Sequence, residues 1–349
     1  MRSRTYIATP PGATIKEQLV NRNMSQKEFA TRMDMSEKHI SKLINGDVQL
    51  TPEMAMRLEL VLGLPAHFWN NLESNYREKL LKVQVENDMD EDLEIMKKMP
   101  YNEMVNNGWI PKTRNPNERV NNLRKFFEVV QLGILKEPSI IGINYRKLGG
   151  SENSDYALLA WAQRAKLEAR NISVASINVD KLKNYLPVIR SMTTQAPQDF
   201  CPRLRNILAE CGTVIVFLPH IGGSFLHGAA FYDGPKIVVG VTVRGKDADR
   251  FWFSLFHELG HIVSGHLNLT NNHSAETEKV ADAFARDILI PQKEYDKFIM
   301  RNTFDRGSIR RFSERIEIDP GIVVGRLQKE GYIKFNMFND MKIRYEISV

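Results

Sequence analysis

From Thr14 to Leu72 the chain is interrupted roughly every ten residues by something that starts or stops a helix. Thr14 can cap a helix over 15–22, Ser25 one over 26–33 and Ser36 one over 37–44, because a hydroxyl there accepts a hydrogen bond from an unpaired N–H of the first turn. Thr51-Pro52 opens a fourth helix running to Leu62, and Pro65 opens a fifth around His67–Leu72. Asn45-Gly46-Asp47 and Gly63 supply breaks. The block is therefore expected to stack five short helices.

Within it, Phe29, Ala30, Met35, Ile40, Leu43 and Ile44 are spaced to share one core, which leaves Gln26, Ser36, Glu37, Lys38, Ser41 and Lys42 outward. Two short helices joined by a tight turn suit the DNA major groove: one braces on the backbone while the other lies inside. Gln26, Ser36 and Asn45 are placed for phosphate contacts, and Glu37, Lys38, His39 and Lys42 for base edges or nearby phosphates. The competing reading is a helical bundle for protein contacts. Charge does not decide: the whole chain has 48 Lys/Arg against 42 Asp/Glu, net +6, and residues 1–75 carry nine against eight. Any DNA contact there must come from local placement of charge.

A length of 349 residues implies two or three domains. With 42% hydrophobic and 26% charged residues the composition excludes disordered and fibrous classes. No stretch is long and apolar enough to span a bilayer, and MRSRTYIATPPG lacks the apolar core of a signal peptide, so a cytoplasmic protein without membrane contact is expected. Cys201 and Cys211 lack metal-ligand spacing and read as packing residues.

Residues 76–149 are charged and mostly helical, a connector between a first domain at 1–75 and a second at 150–349. In the second, a helix over 157–169 precedes an apolar strand at 212–219 and a hairpin over 227–243 turning at Asp233-Gly234-Pro235. Helices resume at Phe251, through 275–290 and 308–316, before an expected strand pair at 332–335 and 343–347. Helices segregated from a small sheet argue an α+β domain behind the all-α one, hence a multidomain chain.

The second domain contains His257-Glu258-Leu259-Gly260-His261 on a segment that is apolar on its other face. One helical turn puts both imidazoles on the same side, and Glu258 beside them can take a proton from a water. The metzincin extension is ruled out, since Ser264 and Leu267 stand where its Gly and His would be. Downstream, Glu278 shares a helical face with Ala281, Asp282, Ala285 and Leu289, a face of small residues that can press on the HELGH helix. Glu278 is the expected third ligand and Asp282 the acceptor that orients His257. His266 and His273 are rivals for the third place. Two imidazoles and one carboxylate suit Zn²⁺ but serve several metals.

Two resemblances narrow these readings. PPGATIKEQLVNRNMSQKEFATRMDMSEKHISKLINGD and the following residues to FWNNLESNY resemble the Cro/C1-type (XRE) helix-turn-helix of HigA-type antitoxins, with Asp34-Met35 where the turn usually has Gly. That resemblance implies binding to double-stranded operator DNA, usually as a homodimer, and often a RelE-like toxin partner. FWFSLFHELGHIVSGH, ETEKVADAFARDILIP and IDPGIVVGRLQKEG, in that order, resemble the ImmA/IrrE metallopeptidases, with Asp282 where many members have Asn. This implies a zincin-like fold, a downstream Glu ligand and the cutting of repressors of prophages, mobile elements or stress regulons.

The combined expectation is a DNA-binding regulator fused to a zinc endopeptidase. Its nucleophilic water is deprotonated by Glu258, its substrate is a repressor-like protein aligned along the strand at 227–232, and Tyr232 and His227 are candidates for the oxyanion. Two alternatives stand beside it. One is a HigA-like antitoxin or repressor whose metal domain senses a signal or binds a toxin; the other is a peptidase that uses the helix-turn-helix only to dock on repressors.

Overall fold

The computed structural model describes residues 1–3, 5–136, 152–222, 227–242, 247–268 and 275–346, and the chain divides into two compact units, Met1–Glu94 and Ile95–Val349. Val243, His273 and Ile347, which entered the expectations above, lie outside the described residues.

The first unit holds α1 (Gly12–Asn21), α2 (Gln26–Arg32), α3 (Glu37–Asn45), α4 (Pro52–Leu62) and most of α5 (Ala66–Lys98). Ser25, Ser36 and Thr51 cap their helices, the side-chain oxygens accepting from the N–H groups of Glu28, His39 and Met54. Thr14 does not: α1 starts three residues earlier than expected, at Gly12 behind Pro11, whose fixed φ already suits a helix start, and Thr14 falls inside it. The fifth helix is also longer than expected. No Gly or Pro occurs between Ala66 and Lys98, so nothing in the chain stops it at Leu72. Phe29, Ala30, Ile40, Leu43, Ile44, Leu58 and Trp69 form the buried centre, and Met35 packs partly buried on its margin.

The second unit runs from the end of α5 through α6 (Tyr101–Asn106), α7 (Pro116–Phe127), α8 (Glu152–Ala169), α9 (Val179–Ser191) and α10 (Pro197–Glu210) into a sheet. The strands are β1 (Thr213–Phe217), β2 (Gly228–Asp233) and β3 (Lys236–Val241), in the order β1-β3-β2. β3 lies parallel to β1 and antiparallel to β2, with Ile215 and Ala230 both opposite Val239. Gly234, at φ +60°, makes the hairpin turn. Thus β2 is an edge strand among the described residues.

The remaining helices are α11 (Ala248–Val263), α12 (Ala275–Leu289), α13 (Gln292–Ile299), α14 (Arg306–Arg315) and α15 (Pro320–Lys329). Phe251, Trp252, Leu255, Phe256 and Leu259 bury the apolar side of α11 in the largest core of the unit, together with residues of β3, α9, α12 and α15. That burial fixes the rotation of α11 about its axis, and therefore the direction in which its two histidines point.

The expected terminal strand pair does not form among the described residues. Arg344 instead bridges to Asp247 ahead of α11, and Gln328 donates to the carbonyls of Phe335 and Met337, drawing that segment onto the end of α15 as a loop.

Candidate metal centre and nucleic-acid interface

His257 and His261 stand one turn apart on α11, and Glu278 reaches them from the first turn of α12. The helices approach closely because small residues face each other: a Cβ on Gly260 would lie 3.3 Å from the Ala281 Cα, and Ala281 and Ala285 are fully buried. His257 Nε2 lies 3.2 Å from Glu278 Oε2, His261 Nε2 lies 3.4 Å from Glu278 Oε1, and the two Nε2 atoms are 3.1 Å apart. Three donors held tetrahedrally around one ion, at the roughly 2.0–2.1 Å of zinc–nitrogen and zinc–oxygen bonds, stand roughly 3.3–3.4 Å apart. The donor set and its spacing therefore fit a divalent cation.

The other ring nitrogens are held from behind. His257 Nδ1 lies 2.9 Å from Asp282 Oδ1, and His261 Nδ1 lies 3.0 Å from His266 Nδ1. Burial opposes charging His257, but hydrogen bonds to Asp282 and Glu278 and the charge of Glu258 outweigh it, and its pKa is pushed up to about 10. Burial, followed by repulsion from His261, lowers the pKa of His266.

Glu258 is only 7% exposed. β2 passes directly over it: a Cβ on Gly228 would come within 2.9 Å of the Glu258 Cγ and 3.1 Å of its Oε1. Glycine lets the edge strand approach the carboxylate here, and a Cβ would crowd the Glu258 side chain. Tyr232 is exposed further along β2, and His227 immediately precedes it.

The sequence offers His266 only as a rival ligand, whereas the structure turns it to the far nitrogen of His261. The signal for this was weak. Five residues separate the two, which is not a helical spacing, and the chain leaves α11 through Gly265 at φ +71°. No sequence pattern marked Gly228.

In the first unit, α2 and α3 meet at a corner whose pivot is Asp34, at φ +53°. This left-handed conformation is the one that glycine usually supplies, and aspartate tolerates it better than most residues. Met35 N–H donates to the Ala30 carbonyl at 3.0 Å, and Arg57 donates to the carbonyls of Met33 and Asp34 at 3.0 and 3.3 Å, so the corner is tied from both sides. Gln26, Ser36, Glu37, Lys38, Lys42 and Asn45 are exposed, and His39 is half-buried. Ser36 uses its oxygen to cap α3, which leaves its hydroxyl hydrogen for an outside acceptor.

Residues 15–69 match the family model described as Helix-turn-helix, and residues 227–327 match the one described as IrrE N-terminal-like domain, a peptidase family. The chain is also 41% identical over 64 residues to the Uncharacterized HTH-type transcriptional regulator YddM of Escherichia coli (strain K12), covering 18% of this chain and 68% of that protein. The chain belongs to the helix-turn-helix transcriptional regulators, fused to an IrrE-like peptidase domain. The helix-turn-helix match covers α2, α3 and the corner between them, and the IrrE-like match covers β2, β3, α11 and α12, hence His257, His261 and Glu278 of the candidate metal centre. An XRE-type domain binds DNA, and the peptidase family points to metal-dependent hydrolysis. No helix among the described residues is long and apolar enough to cross a membrane.

Proposed function

We propose that the chain is a cytoplasmic transcriptional regulator whose IrrE-like domain is a zinc-dependent endopeptidase acting on a repressor-like protein. The observation that supports this most is the convergence of two imidazole nitrogens and one carboxylate at separations of 3.1–3.4 Å, beside a buried glutamate. His257, His261 and Glu278 would hold the ion, and two His with one carboxylate is a donor set that suits zinc with a position left open. Once bound, such an ion supplies a Lewis acid for the scissile carbonyl and makes water acidic near neutral pH.

Everything else is work for side chains and backbone. Glu258 takes the proton from the attacking water and returns it to the leaving amine, a role for which its burial under β2 keeps bulk water away. Asp282 keeps the His257 ring in place. The edge of β2 that no strand pairs among the described residues offers N–H and C=O groups to an extended substrate segment, which would pass over Glu258 as it pairs. Tyr232 and His227 are the candidates to donate to the oxyanion. In the helix-turn-helix domain, Lys38, Lys42, Glu37 and His39 face base edges or phosphates, and Gln26, Ser36 and Asn45 hold the backbone of a palindromic operator, with two copies of the chain related by its two-fold axis.

Glu258→Gln separates chemistry from binding, because it removes the proton acceptor and replaces none of the proposed ligands. Comparing new protein N-termini in host cells carrying the parent or Glu258→Gln, we expect the parent alone to produce a cleaved repressor-like protein, while both chains hold zinc equally. Identical N-termini from both chains would refute the peptidase reading and leave a regulator with a metal-binding domain.

A further inference from the structure

We propose that His266 is a positioning residue: it accepts the Nδ1 hydrogen of His261, fixing that imidazole in the tautomer whose Nε2 lone pair faces Glu278 and is available to a divalent cation. The inference rests on the metal-centre reading above, yet it concerns a different pair of atoms and is tested separately.

Two imidazole nitrogens 3.0 Å apart share one hydrogen, carried by either His261 or His266. The surroundings choose. His257 Nδ1 faces the Asp282 carboxylate, which can only accept when ionised, so this nitrogen carries a hydrogen. His257 Nε2 lies between Glu278 and the Nε2 of His261, at 3.2 and 3.1 Å. His261 Nε2 faces the same carboxylate at 3.4 Å. With a hydrogen on its Nε2, His261 would offer the site no lone pair. With the hydrogen on Nδ1 it offers one, and the donor on the far side points straight at His266.

His261 is 3% exposed and His266 8%, so the pair is largely shielded from bulk water. The rings meet at 64° with centroids 5.2 Å apart, an edge-on approach that suits an N–H···N bond and not a stack. The position is built by the end of α11. Gly265, at φ +71°, reverses the chain, and the short turn His266–Asn268 lays the imidazole across the last turn of the helix. The two histidines on α11 are therefore supported unequally, His257 by a carboxylate and His261 by a second imidazole.

The test uses the full chain with two substitutions. His266→Gln keeps an oxygen that can accept the Nδ1 hydrogen, and His266→Leu keeps bulk without an acceptor. Ring-nitrogen ¹⁵N shifts of the metal-free chain report the His261 tautomer. Competition with a chromophoric chelator gives zinc affinity, and the visible spectrum with Co²⁺ reports coordination. We expect the parent to carry the His261 hydrogen on Nδ1, His266→Leu to shift it to Nε2 and weaken zinc about 10–100-fold, and His266→Gln to restore both to within a few-fold. A hydrogen on Nε2 in the metal-free parent overturns the proposal. So does His266→Leu with the parent's affinity and Co²⁺ spectrum, or an equal loss in both variants, which would mark a packing role. If the parent takes up neither ion, the metal-centre reading falls while the ring-nitrogen shifts still decide this one. Should His266→Leu fail to fold, the parent's shifts and the His266→Gln affinity carry the decision.

Discussion

The corner between α2 and α3 and the corner between α14 and α15 are built on one plan, 283 positions apart. Phe29-Ala30 aligns with Phe312-Ser313, the left-handed pivot Asp34 (φ +53°) with Glu317 (φ +55°), and the cap Ser36 with Asp319. The hydrogen bonds repeat as well. Met35 N–H donates to Ala30 and Ile318 N–H to Ser313, each at 3.0 Å, while Asp34 donates to Thr31 at 3.1 Å and Glu317 to Glu314 at 3.2 Å. The second helices part company in what they present. Where α3 exposes Lys38, Lys42 and Asn45, α15 has Gly321, Gly325 and Gln328, and its Ile322, Val323, Val324 and Leu327 are buried. A cap, a left-handed pivot and two short helices therefore specify a bend. Under the proposed function, whether the bend reads DNA or braces the helix of the candidate metal centre is set by the side chains that its second helix presents.

The largest effect is expected from exchanging residues between the aligned positions Gly325 and Lys42. A Cβ at Gly325 would fall 2.1 Å from Asp249 Oδ2, and Asp249 is held by a buried ion pair with Lys342 at 2.8 Å. Gly325→Lys adds a clash and a buried cation there, so the IrrE-like domain should lose several kcal/mol, on the order of 3 or more. Lys42→Gly on the exposed side of α3 should lose only the helix propensity of one residue, about 1 kcal/mol. Thermal unfolding of the two full-length variants checks this, and a Gly325→Lys chain that melts like the parent would remove the packing half of the comparison.

The two caps differ in a way that pH exposes. Ser36 does not titrate in this range, but the pKa of Asp319 is raised from 3.8 to about 6 by burial and by the nearby charge of Asp249, against the opposing hydrogen bonds of Gly321 and Ile322. An acid with a raised folded pKa contributes stability that is fully present below its unfolded pKa and lost as pH rises through the folded one. The parent should therefore lose on the order of 3 kcal/mol between about pH 4 and pH 6 from this group. Asparagine keeps the cap and cannot ionise. Unfolding midpoints of the parent and Asp319→Asn should converge near the low end of that window and diverge above it, with the variant more stable at neutral pH. Curves that stay parallel throughout would disprove the shift.

Much of this architecture is legible because it is written in local chemistry. Ser25, Ser36 and Thr51 cap where a hydroxyl before a helix should, and Asp233-Gly234 turns the hairpin. The wheel that put Glu278 beside Ala281 and Ala285 needs only the regular 100° step of a helix, and its carboxylate comes to within 3.2 Å of His257. The features that were not legible depend on distant partners. Residues 332–335 and 343–346 have strand-like composition, yet their neighbours are α15 and Asp247 and not each other. Likewise, nothing within IDPGIVVGRLQKEG says that Gly325 is a glycine because Asp249 of α11 lies against it.

DNA binding sharpens the outward half of the comparison. Lys38→Ala/Lys42→Ala should weaken operator affinity by about tenfold or more and reduce the dependence of log affinity on log salt by roughly two, one counterion per lost phosphate contact. Arg310→Ala, on the exposed side of α14, should change neither quantity. Mobility shifts over a salt series measure both. If Arg310→Ala lowers affinity as much as the lysine pair, then the second corner also meets DNA and the division of labour is wrong.

The smallest expected effect lies at the two pivots, where backbone and side chain can be separated. Both residues sit at nearly the same φ, so the intrinsic benefit of glycine, the removal of the Cβ contact in left-handed backbone, is the same at each, as is the entropy that glycine adds to the unfolded chain. Glutamate has no local way to relieve that contact, whereas aspartate is among the residues that tolerate it. Asp34 also has Arg57 at 3.8 Å, a weak pair because the aspartate side chain is 98% exposed. Glu317→Gly should then stabilise by a few tenths to about 1 kcal/mol, and Asp34→Gly should be close to neutral. Alanine keeps the Cβ and loses the aspartate's tolerance, so Asp34→Ala should destabilise where Glu317→Ala does little. Equal responses at the two sites would mean that the pivots, and not only the corners, are energetically interchangeable.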